Sequence, residues 1–264
     1  MDLGLRDKVV VITGGSVGIG LAAAKGFAAE GAHVIITGRN AGRLASARDE
    51  IAAAGADRKV LVVVSDVATA EGCDAVVAAA EAEFGGADIL INNAGTGSNE
   101  TIMEAPDSKW QYYWDVHVMG AIRLARGPVR SMRRRGGGVT PNNASICAAQ
   151  PLWYEPIYNV TKAALVMASK NMATEFIKDG IRVNAINLGF VLTPDWIKTA
   201  KQLTADTGGD WQGYIDNLAR ENAPIARFAS PEEVAAYFVF LCSPRASYSV
   251  GSTYFVDGGM LKTV

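Results

Sequence analysis

Short apolar runs alternate with longer alanine-rich or amphipathic stretches along most of the chain. The runs are rich in valine and isoleucine and are apolar at almost every position, which is typical of strands covered on both faces of a sheet. Strands are predicted in the segments KVVVIT, HVIITG, KVLVVVS, DILINNAG, VTPNNAS, IRVNAINLG and STYFVDGG. Regular alternation of strand and helix predicts right-handed βαβ units and therefore a parallel sheet.

Helices are predicted in the stretches between these strands. They include Gly18 to Glu30, stretches that end near Ala54 and Phe84, about Asp107 to Arg134, a helix that contains Tyr158, and Pro231 to Cys242. No repeat, linker or low-complexity segment interrupts the pattern. We therefore expect residues 1–264 to form one α/β domain, a doubly wound parallel sheet of about seven strands with helices on both faces.

Two places depart from this rhythm. The segment of about residues 193–227 is long, and it contains the loop signal DTGGD and three large aromatic residues, Trp196, Trp211 and Tyr214. Long connections inside a compact domain are usually functional, so we expect a helical lid over a substrate. Pro141 falls within a predicted central strand, where a residue without an N–H group cannot donate to the ladder. A local defect is expected just before Asn142.

The composition narrows the possible classes of protein. Hydrophobic residues make up 49% and charged residues 20% of the chain, which is a globular composition. The net charge of −2 argues against nucleic-acid binding. Three dispersed cysteines and two histidines predict neither a metal site nor a disulfide framework. The apolar run near the amino terminus is too short for a signal peptide or a membrane span, so no membrane association and a cytoplasmic location are expected.

The segment TGGSVGIG follows the first strand and opens the first helix. Glycines at positions 14, 18 and 20 permit a tight turn and a close approach of the backbone to a pyrophosphate, and the helix amino terminus adds N–H groups and a positive dipole. A merely tight βα turn is the alternative. The position between strand and helix favours a dinucleotide-binding turn.

The end of the second strand indicates which dinucleotide binds. An acidic residue there would bond the ribose 2′-hydroxyl of NAD, but Gly38 takes that place and Arg39 follows it. The planar guanidinium group of an arginine can pair with a 2′-phosphate. We therefore expect a preference for NADP(H), with NAD(H) still possible and a solvated arginine as the alternative.

Tyr158 and Lys162 are four residues apart, just after Pro156, which suits the first turn of a helix. Residues at this spacing lie on the same helix face, so the phenol and the ammonium group are expected side by side. A solvent-exposed pair without a role is the alternative for these residues taken alone.

Several ordered motifs resemble those of the short-chain dehydrogenase/reductase family over nearly the whole chain. The segments that carry the likeness are TGGSVGIG, the Asp66–Val67 pair, NNAG, YNVTK, NLGFVLT and VDGG, and Ser145 precedes Tyr158 by thirteen residues, the family's usual spacing. The resemblance implies a Rossmann-type fold, an NADP-dependent oxidoreductase that interconverts a secondary alcohol and a ketone, and a homotetramer or dimer.

The resemblance also implies the roles of particular residues. Tyr158 is the expected general acid/base, Lys162 tunes its pKa and holds the nicotinamide ribose, and Ser145 bonds the substrate oxygen. The expected cofactor-binding residues are Gly14, Ser16, Gly18, Ile19, Gly20, Arg39, Asp66, Val67, Asn93, Ala94, Gly95, Tyr158, Lys162, Gly189, Val191 and Thr193.

Two residues depart from the family pattern. His117 stands where the family usually has an asparagine that anchors a water in a proton relay, so it is included among the catalytic candidates. Either the imidazole continues that relay with an ionisation near neutrality, or it is a buried histidine with a structural role. Leu188 replaces the proline that is usual before Gly189, which is expected to loosen the nicotinamide segment.

Aromatic residues near the expected active site suggest a bulky, uncharged, aromatic or alicyclic substrate. The expected substrate-binding residues are Ser145, Cys147, Trp153, Tyr154, Phe190 and Trp196. The alternative is that these rings pack the lid onto the domain. Two other functions stay open: reduction of 3-oxoacyl thioesters, and an NADP-sensing regulator without catalysis.

Overall fold

The computed structural model describes residues 2–55, 58–97, 99–152 and 155–263. In this part of the chain, one parallel sheet has the strand order β3-β2-β1-β4-β5-β6-β7. The strands are β1 (Val9–Thr13), β2 (His33–Gly38), β3 (Val60–Val64), β4 (Ile89–Ile91), β5 (Gly138–Asn143), β6 (Ile181–Leu188) and β7 (Thr253–Val256). The helices are α1 (Gly18–Ala29), α2 (Ala41–Ala54), α3 (Ala70–Phe84), α4 (Asp107–Trp114), α5 (Gly120–Arg134), α6 (Pro156–Phe176), α7 (Pro194–Thr204), α8 (Trp211–Asn222) and α9 (Pro231–Cys242).

Two apolar layers cover the sheet and confirm the predicted doubly wound fold. One layer packs α1, α2 and α9 on one face through residues such as Phe27, Leu44 and Phe238. The other packs α3, α5 and α6 on the opposite face through residues such as Leu124 and Met132. The central strands are therefore buried on both sides, which is the reason that they are apolar at nearly every position.

The predicted helix from about Asp107 to Arg134 is interrupted. A π-helical turn, Asp115–Met119, joins α4 to α5 and carries His117. The wider turn inserts an extra residue into the helix without ending it, and such turns are frequent at functional sites. The sequence pattern contained no sign of this interruption.

Pro141 produces the expected local defect, but only on one side of its strand. The Val139 and Asn143 N–H groups donate to carbonyls of the β4 segment, whereas Pro141 between them has no N–H group. Pairing of β5 with β4 is reduced to Ile89 with Val139 and an isolated bridge at Asn142. Pairing with β6 continues along the whole of β5. The strand therefore stays in the sheet.

The segment between β6 and α9 folds as helices α7 and α8, packed on a third apolar cluster at the carboxyl ends of the strands. None of the helices in the described residues is both long and apolar enough to pass through a membrane. Cys73, Cys147 and Cys242 are all buried as free thiols.

Candidate active site

The glycine turn after β1 has the shape that a bound pyrophosphate requires. Gly14 and Gly18 have φ values of 65° and 56°, which favour glycine. A Cβ at Gly20 would lie 2.3 Å from the Gly14 carbonyl oxygen, so only glycine fits where α1 begins. Val17 precedes α1 and provides no side-chain cap, while Ile19 packs against the core. The first turn of α1 is therefore open to an anionic ligand, and the residues fit the phosphates of a dinucleotide.

Asn93 joins this turn to the catalytic strands. Its side-chain nitrogen donates to the carbonyls of Thr13 (2.9 Å) and Gly14 (3.2 Å), and its side-chain oxygen accepts from Asn143 Nδ2 (2.9 Å). The Ala94 N–H donates to Thr13 Oγ1 at 2.9 Å. One asparagine therefore fixes the glycine turn relative to β5.

The flanks of the turn contact two other segments that the sequence assigned to the cofactor. A Cβ placed on Gly38 would lie 3.7 Å from Ser16 Oγ, so the turn meets the end of β2. A Cβ on Gly18 would lie 3.4 Å from Thr193 Cγ2 and 3.5 Å from Pro194 Cδ, where α7 begins. The predicted cofactor residues of the amino-terminal and carboxyl-terminal halves are thus brought together.

Arg39 lies at the expected adenosine end of the site. Its guanidinium group donates to the Tyr112 hydroxyl at 2.7 Å and lies 4.0 Å from the Asp66 carboxylate. Asp66 Oδ1 accepts from the Ala68 N–H (3.0 Å), and Val67 beside it is buried. Arg39 is mostly exposed, so its guanidinium group is accessible to a phosphate. Tyr112 was not among the predicted site residues.

Ser145, Tyr158 and Lys162 converge at the carboxyl end of β5. Tyr158 and Lys162 are one turn apart near the start of α6, and Lys162 Nζ lies 5.3 Å from the centroid of the Tyr158 ring. Ser145 Oγ accepts from the Cys147 N–H at 3.2 Å and also interacts with the Tyr158 phenol. The side-by-side arrangement expected from the spacing is confirmed.

Lys162 is deeply buried, with 3% of its surface exposed. Its ammonium group donates to the Asn143 carbonyl at 2.7 Å. Burial lowers the pKa of Lys162 from 10.5 to about 8. A Cβ at Gly95 would lie 3.6 Å from Lys162 Nζ and 3.3 Å from His117 Nε2, so the chain passes close above both groups. The lysine is held in place and retains its proton at neutral pH.

Burial raises the pKa of the Tyr158 phenol above its usual value. Negative charge on Cys147 or Glu155 would raise it further, and the Ser145 hydroxyl acts in the opposite direction. The phenol is therefore protonated at neutral pH in the free chain. This is the form that can donate a proton to a carbonyl oxygen.

His117 is buried, and both of its ring nitrogens are hydrogen-bonded within the protein. Nε2 accepts from the Thr96 N–H at 3.2 Å, so Nδ1 carries the proton and donates to Thr161 Oγ1 at 2.8 Å. Burial, and then the Lys162 charge, hold the pKa of His117 well below 6.5. The ring packs edge-on against Tyr113 and Tyr158, with centroids 5.5 and 5.4 Å away. This geometry favours the structural role and argues against an ionisation near neutrality.

The nicotinamide segment is not loosened by Leu188, contrary to expectation. Leu188 continues β6 and pairs with Val256, and the Gly189 N–H donates to the Val256 carbonyl at 3.1 Å. Val191 is buried and forms a bridge with Ala229. A leucine keeps the N–H group that a proline lacks, and Leu188 is the last residue of β6.

The aromatic residues predicted for the substrate pack on one another. Phe190 stacks on Phe228 with centroids 4.7 Å apart, and Trp196 meets both rings edge-on at 5.4 and 5.3 Å. This arrangement favours the alternative that the rings pack the lid onto the domain. Trp153 and Tyr154 lie outside the described residues.

Glu155 is a site residue that the sequence analysis missed. It immediately precedes α6, and one of its carboxylate oxygens lies 3.9 Å from Cys147 Sγ. Burial raises the pKa of Glu155 to about 7, and burial raises that of Cys147 to about 11. The only signal in the sequence was an acidic residue three positions before Tyr158. No local pattern distinguishes a buried glutamate from an exposed one at this position.

A glycine turn that opens a helix, together with a serine, a tyrosine and a buried lysine at the carboxyl ends of the strands, defines a dinucleotide-dependent oxidoreductase of the Rossmann type. A family model described as enoyl-(acyl carrier protein) reductase matches residues 14–261. The chain belongs to the short-chain dehydrogenase/reductase family, and it is an oxidoreductase.

Similar proteins include two whose names give a substrate, and a third that is named only as a reductase. The crystal structure of L-sorbose reductase from Gluconobacter frateurii, complexed with NADPH and L-sorbose, is 66% identical, with a TM-score of 0.98 and 100% of both chains covered. Galactitol 2-dehydrogenase of Agrobacterium fabrum is 36% identical, over 97% of this chain and 98% of the relative. Short-chain reductase protein NovJ of Streptomyces niveus is 35% identical, over 96% of this chain and 94% of the relative.

Proposed function

We propose that this enzyme is an NADP(H)-dependent reductase that converts a ketose to a sugar alcohol and catalyses the reverse oxidation. The observation that carries the proposal is the 66% identity, over the full length of both chains, to the L-sorbose reductase solved with NADPH and L-sorbose. L-Sorbose is therefore the first substrate to test. The same class of substrate appears in the name of galactitol 2-dehydrogenase, at 36% identity.

The preference for NADP(H) is supported by the adenosine end of the site. Gly38 provides no carboxylate for a ribose 2′-hydroxyl, and Arg39 offers an accessible guanidinium group. In the free chain this group is near Tyr112 and Asp66, both at the edge of the expected adenosine site. A 2′-phosphate would pair with Arg39 through charge-assisted hydrogen bonds, which ribose alone cannot form.

The proposed roles follow from the positions of the three catalytic groups. NADPH, when bound, supplies the hydride for the carbonyl carbon. Tyr158 donates its phenolic proton to the carbonyl oxygen, and Ser145 donates a hydrogen bond to the same oxygen. Lys162, fixed by the Asn143 carbonyl, stabilises the phenolate that forms after proton transfer. The product is a secondary alcohol with one added hydride and one added proton.

Glu155 supports a substrate rich in hydroxyl groups. A buried carboxylate is costly unless a donor approaches it, and Cys147 is only a weak donor. The hydroxyl groups of a ketose would supply strong donors, whereas an aryl ketone has none to offer. Together with the packing of Phe190 against Phe228, this argues for a sugar rather than the aromatic substrate expected from the sequence.

The test is a panel of substrates, and the reaction with each is monitored through the oxidation of the reduced cofactor. The panel contains L-sorbose, D-fructose, an aryl ketone, a short aliphatic ketone and a 3-oxoacyl thioester, each with NADPH and with NADH. We expect kcat/KM for L-sorbose with NADPH to exceed that for the aryl ketone by roughly 100-fold or more, since a site built around hydrogen bonds rejects analogues without hydroxyl groups. Tyr158→Phe is the control for contaminating activity.

Each alternative has a distinct outcome in the same panel. Preference for the thioester would favour a 3-oxoacyl thioester reductase. Preference for the aryl ketone would support the aromatic substrate that is expected from the sequence. Binding of NADPH without turnover of any ketone would favour the regulator. Any of these results overturns the proposal.

We also propose that the enzyme is a homo-oligomer, a tetramer or a dimer. Exposed apolar residues on the helices support this: Trp114 on α4, and Val160 and Met167 on α6, are between 39% and 63% exposed. Large exposed apolar side chains gain free energy when a second copy of the chain covers them. Light scattering coupled to gel filtration would measure the mass, and a monomer at micromolar concentration would contradict this proposal.

A further inference from the structure

The carboxyl-terminal segment Asp257–Lys262 follows β7 and folds back over the substrate side of the site. Asp257 shapes it: Oδ1 accepts from the Gly259 N–H (3.0 Å) and Oδ2 from the Leu261 N–H (2.8 Å). Gly258 and Gly259 have φ values of 64° and 84°, which a side chain would disfavour. The segment is therefore a defined turn, which we call the latch.

The latch contacts the nicotinamide segment through Gly189. A Cβ at Gly189 would lie 2.7 Å from both Asp257 Cα and its carbonyl oxygen, and 2.8 Å from Met260 Sδ. Backbone packs on backbone here, with no space for a methyl group. The position of the latch is consequently coupled to the position of the chain at Gly189.

The latch also contacts the end of the lid. The Ile225 N–H, just after α8, donates to the Gly258 carbonyl at 3.1 Å. A Cβ on Gly259 would lie 3.1 Å from Pro224 Cγ. The connection that returns from the lid to the domain therefore rests on the latch.

The third contact is with the loop that carries Ser145 and Cys147. The side chain of Gln150 donates to the Met260 carbonyl at 3.3 Å and accepts from the Lys262 N–H at 3.0 Å. The Gln150 N–H donates to the Ile146 carbonyl at 2.8 Å, so the glutamine is fixed to the short turn after Ser145. One side chain thus satisfies two backbone groups of the latch.

Apolar packing strengthens the same contact. Met260 is 4% exposed and belongs to one cluster with Ile146, Cys147 and Phe190, against which Tyr158 also packs. The Ser145–Cys147 loop, the end of the lid and the nicotinamide segment at Gly189 therefore meet at the latch, whereas the glycine turn and Arg39, at the phosphate and adenosine end, make none of the contacts described for it.

We propose that Gln150 is a positioning residue, which uses the latch to hold the Ser145–Cys147 loop and Gly189 in register for the carbonyl substrate. Both polar atoms of the Gln150 side chain are bonded to the latch, so Gln150 acts on the substrate indirectly, through the positions of Ser145 and Cys147. The proposal rests on the proposed function only for the choice of L-sorbose as assay substrate.

The first test compares Gln150→Met, which keeps the length but removes both hydrogen bonds, with Gln111→Met on the exposed face of α4 as the matched control. Gln150→Met should lower kcat/KM for L-sorbose roughly tenfold, because small displacements of catalytic groups are costly. The NADPH dissociation constant, followed by nucleotide fluorescence, should stay within about twofold of the wild type, because the glycine turn and Arg39 have no described contact with the latch. Gln150→Glu keeps the acceptor for the Lys262 N–H and should recover part of the loss.

The second test does not depend on the substrate. Hydrogen exchange in Gln150→Met should accelerate both in residues 145–152 and in residues 258–263. Faster exchange in the latch alone, or kcat/KM unchanged from wild type, would overturn the proposal, as would equal losses of NADPH affinity and of kcat/KM. If the wild type is inactive on L-sorbose but Gln150→Met accelerates exchange in both segments, the proposed function is refuted and the proposed role of Gln150 is supported.

Discussion

The cofactor side and the substrate side of this site are built in different ways. On the cofactor side the phosphate end is formed mainly by backbone, a glycine turn and an uncapped helix start, and the Asn93 side chain braces it by donating to two carbonyls. On the substrate side the contacts come from side chains on separate long connections, such as Glu155, Phe190 and Met260. A backbone site requires particular glycines at fixed spacing, so it is visible in the sequence. A side-chain site depends on which connections meet.

The largest expected effect is that of Lys162→Met. Lys162 lies where the two sides meet, and this variant tests whether the lysine is needed for catalysis but not for stability. The folded pKa of about 8 is below the unfolded value of 10.5, so burial of the charge costs stability at all pH values below about 8, and this cost fades as the pH rises toward 10.5. We expect kcat to fall by about 10²- to 10⁴-fold without a fall in melting temperature at pH 7.

The matched control is Lys170→Met on the same helix, an exposed lysine that also donates to one backbone carbonyl, that of Gly251. It should leave kcat unchanged. A large fall in the melting temperature of Lys162→Met would instead make Lys162 a structural residue.

Glu155→Gln tests the substrate side alone. Loss of a hydrogen bond to a charged group costs about 1.5–3 kcal/mol, so kcat/KM for L-sorbose should fall roughly 10- to 100-fold. Because the pKa of Glu155 is about 7, wild-type kcat/KM should decline below that pH, and the variant should lack this decline. Glu175→Gln, at an exposed position of α6, the helix that Glu155 precedes, is the control. An unchanged pH profile in Glu155→Gln would remove Glu155 from the substrate site.

Arg39→Ala tests the cofactor side alone. The dissociation constant of NADPH should rise about tenfold or more, and that of NADH should hardly change, since only NADPH has the 2′-phosphate. Arg48→Ala serves as the control, because Arg48 lies within α2 whereas Arg39 lies before that helix. Titration of each cofactor by fluorescence gives both constants. If both affinities fall equally, Arg39 does not select the cofactor.

The smallest effect concerns the loss of stability in acid that the low pKa of His117 causes. Its folded pKa is well below 6.5, so the unfolded chain binds the extra proton and stability is lost as the pH falls below 6.5, by up to about 1.4 kcal/mol per pH unit. Glu155 has the opposite sign, since its raised pKa adds stability as the pH falls from 7 to 4.5. The free energy of unfolding, measured with urea at several pH values, should therefore fall more steeply between pH 7 and 5 in Glu155→Gln than in the wild type. Parallel slopes would contradict this assignment.

The sequence was sufficient for the fold and for the grouping of most residues that are predicted to bind the cofactor. Strand and helix periodicity, Gly14, Gly18 and Gly20, and the spacing of Ser145, Tyr158 and Lys162 are local signals, and the structure places them together as the motifs predict. The residues on this side lie at the ends of adjacent parallel strands, so their proximity follows from topology.

Local signals could not identify the remaining residues. Gln150 and Met260 are 110 residues apart in sequence, and Arg39 and Tyr112 are 73 apart, yet each pair is hydrogen-bonded. The π-helical turn also has no residue pattern of its own, which is why His117 had two interpretations until its partners Thr96 and Thr161 were known. Phe190 and Trp196 suggested a ligand because their partner Phe228 lies far along the chain.

The burial of the three thiols bears on the chemical durability of the enzyme. Thiolate is the form that reacts with alkylating agents and peroxide, and burial raises the pKa of Cys73 and of Cys147 to about 11, and that of Cys242 further. At pH 7 only about one thiol in ten thousand at Cys73 or Cys147 is then ionised. Preparations should keep their turnover through days in air without added reductant, and a modest excess of iodoacetamide should leave the folded enzyme unmodified.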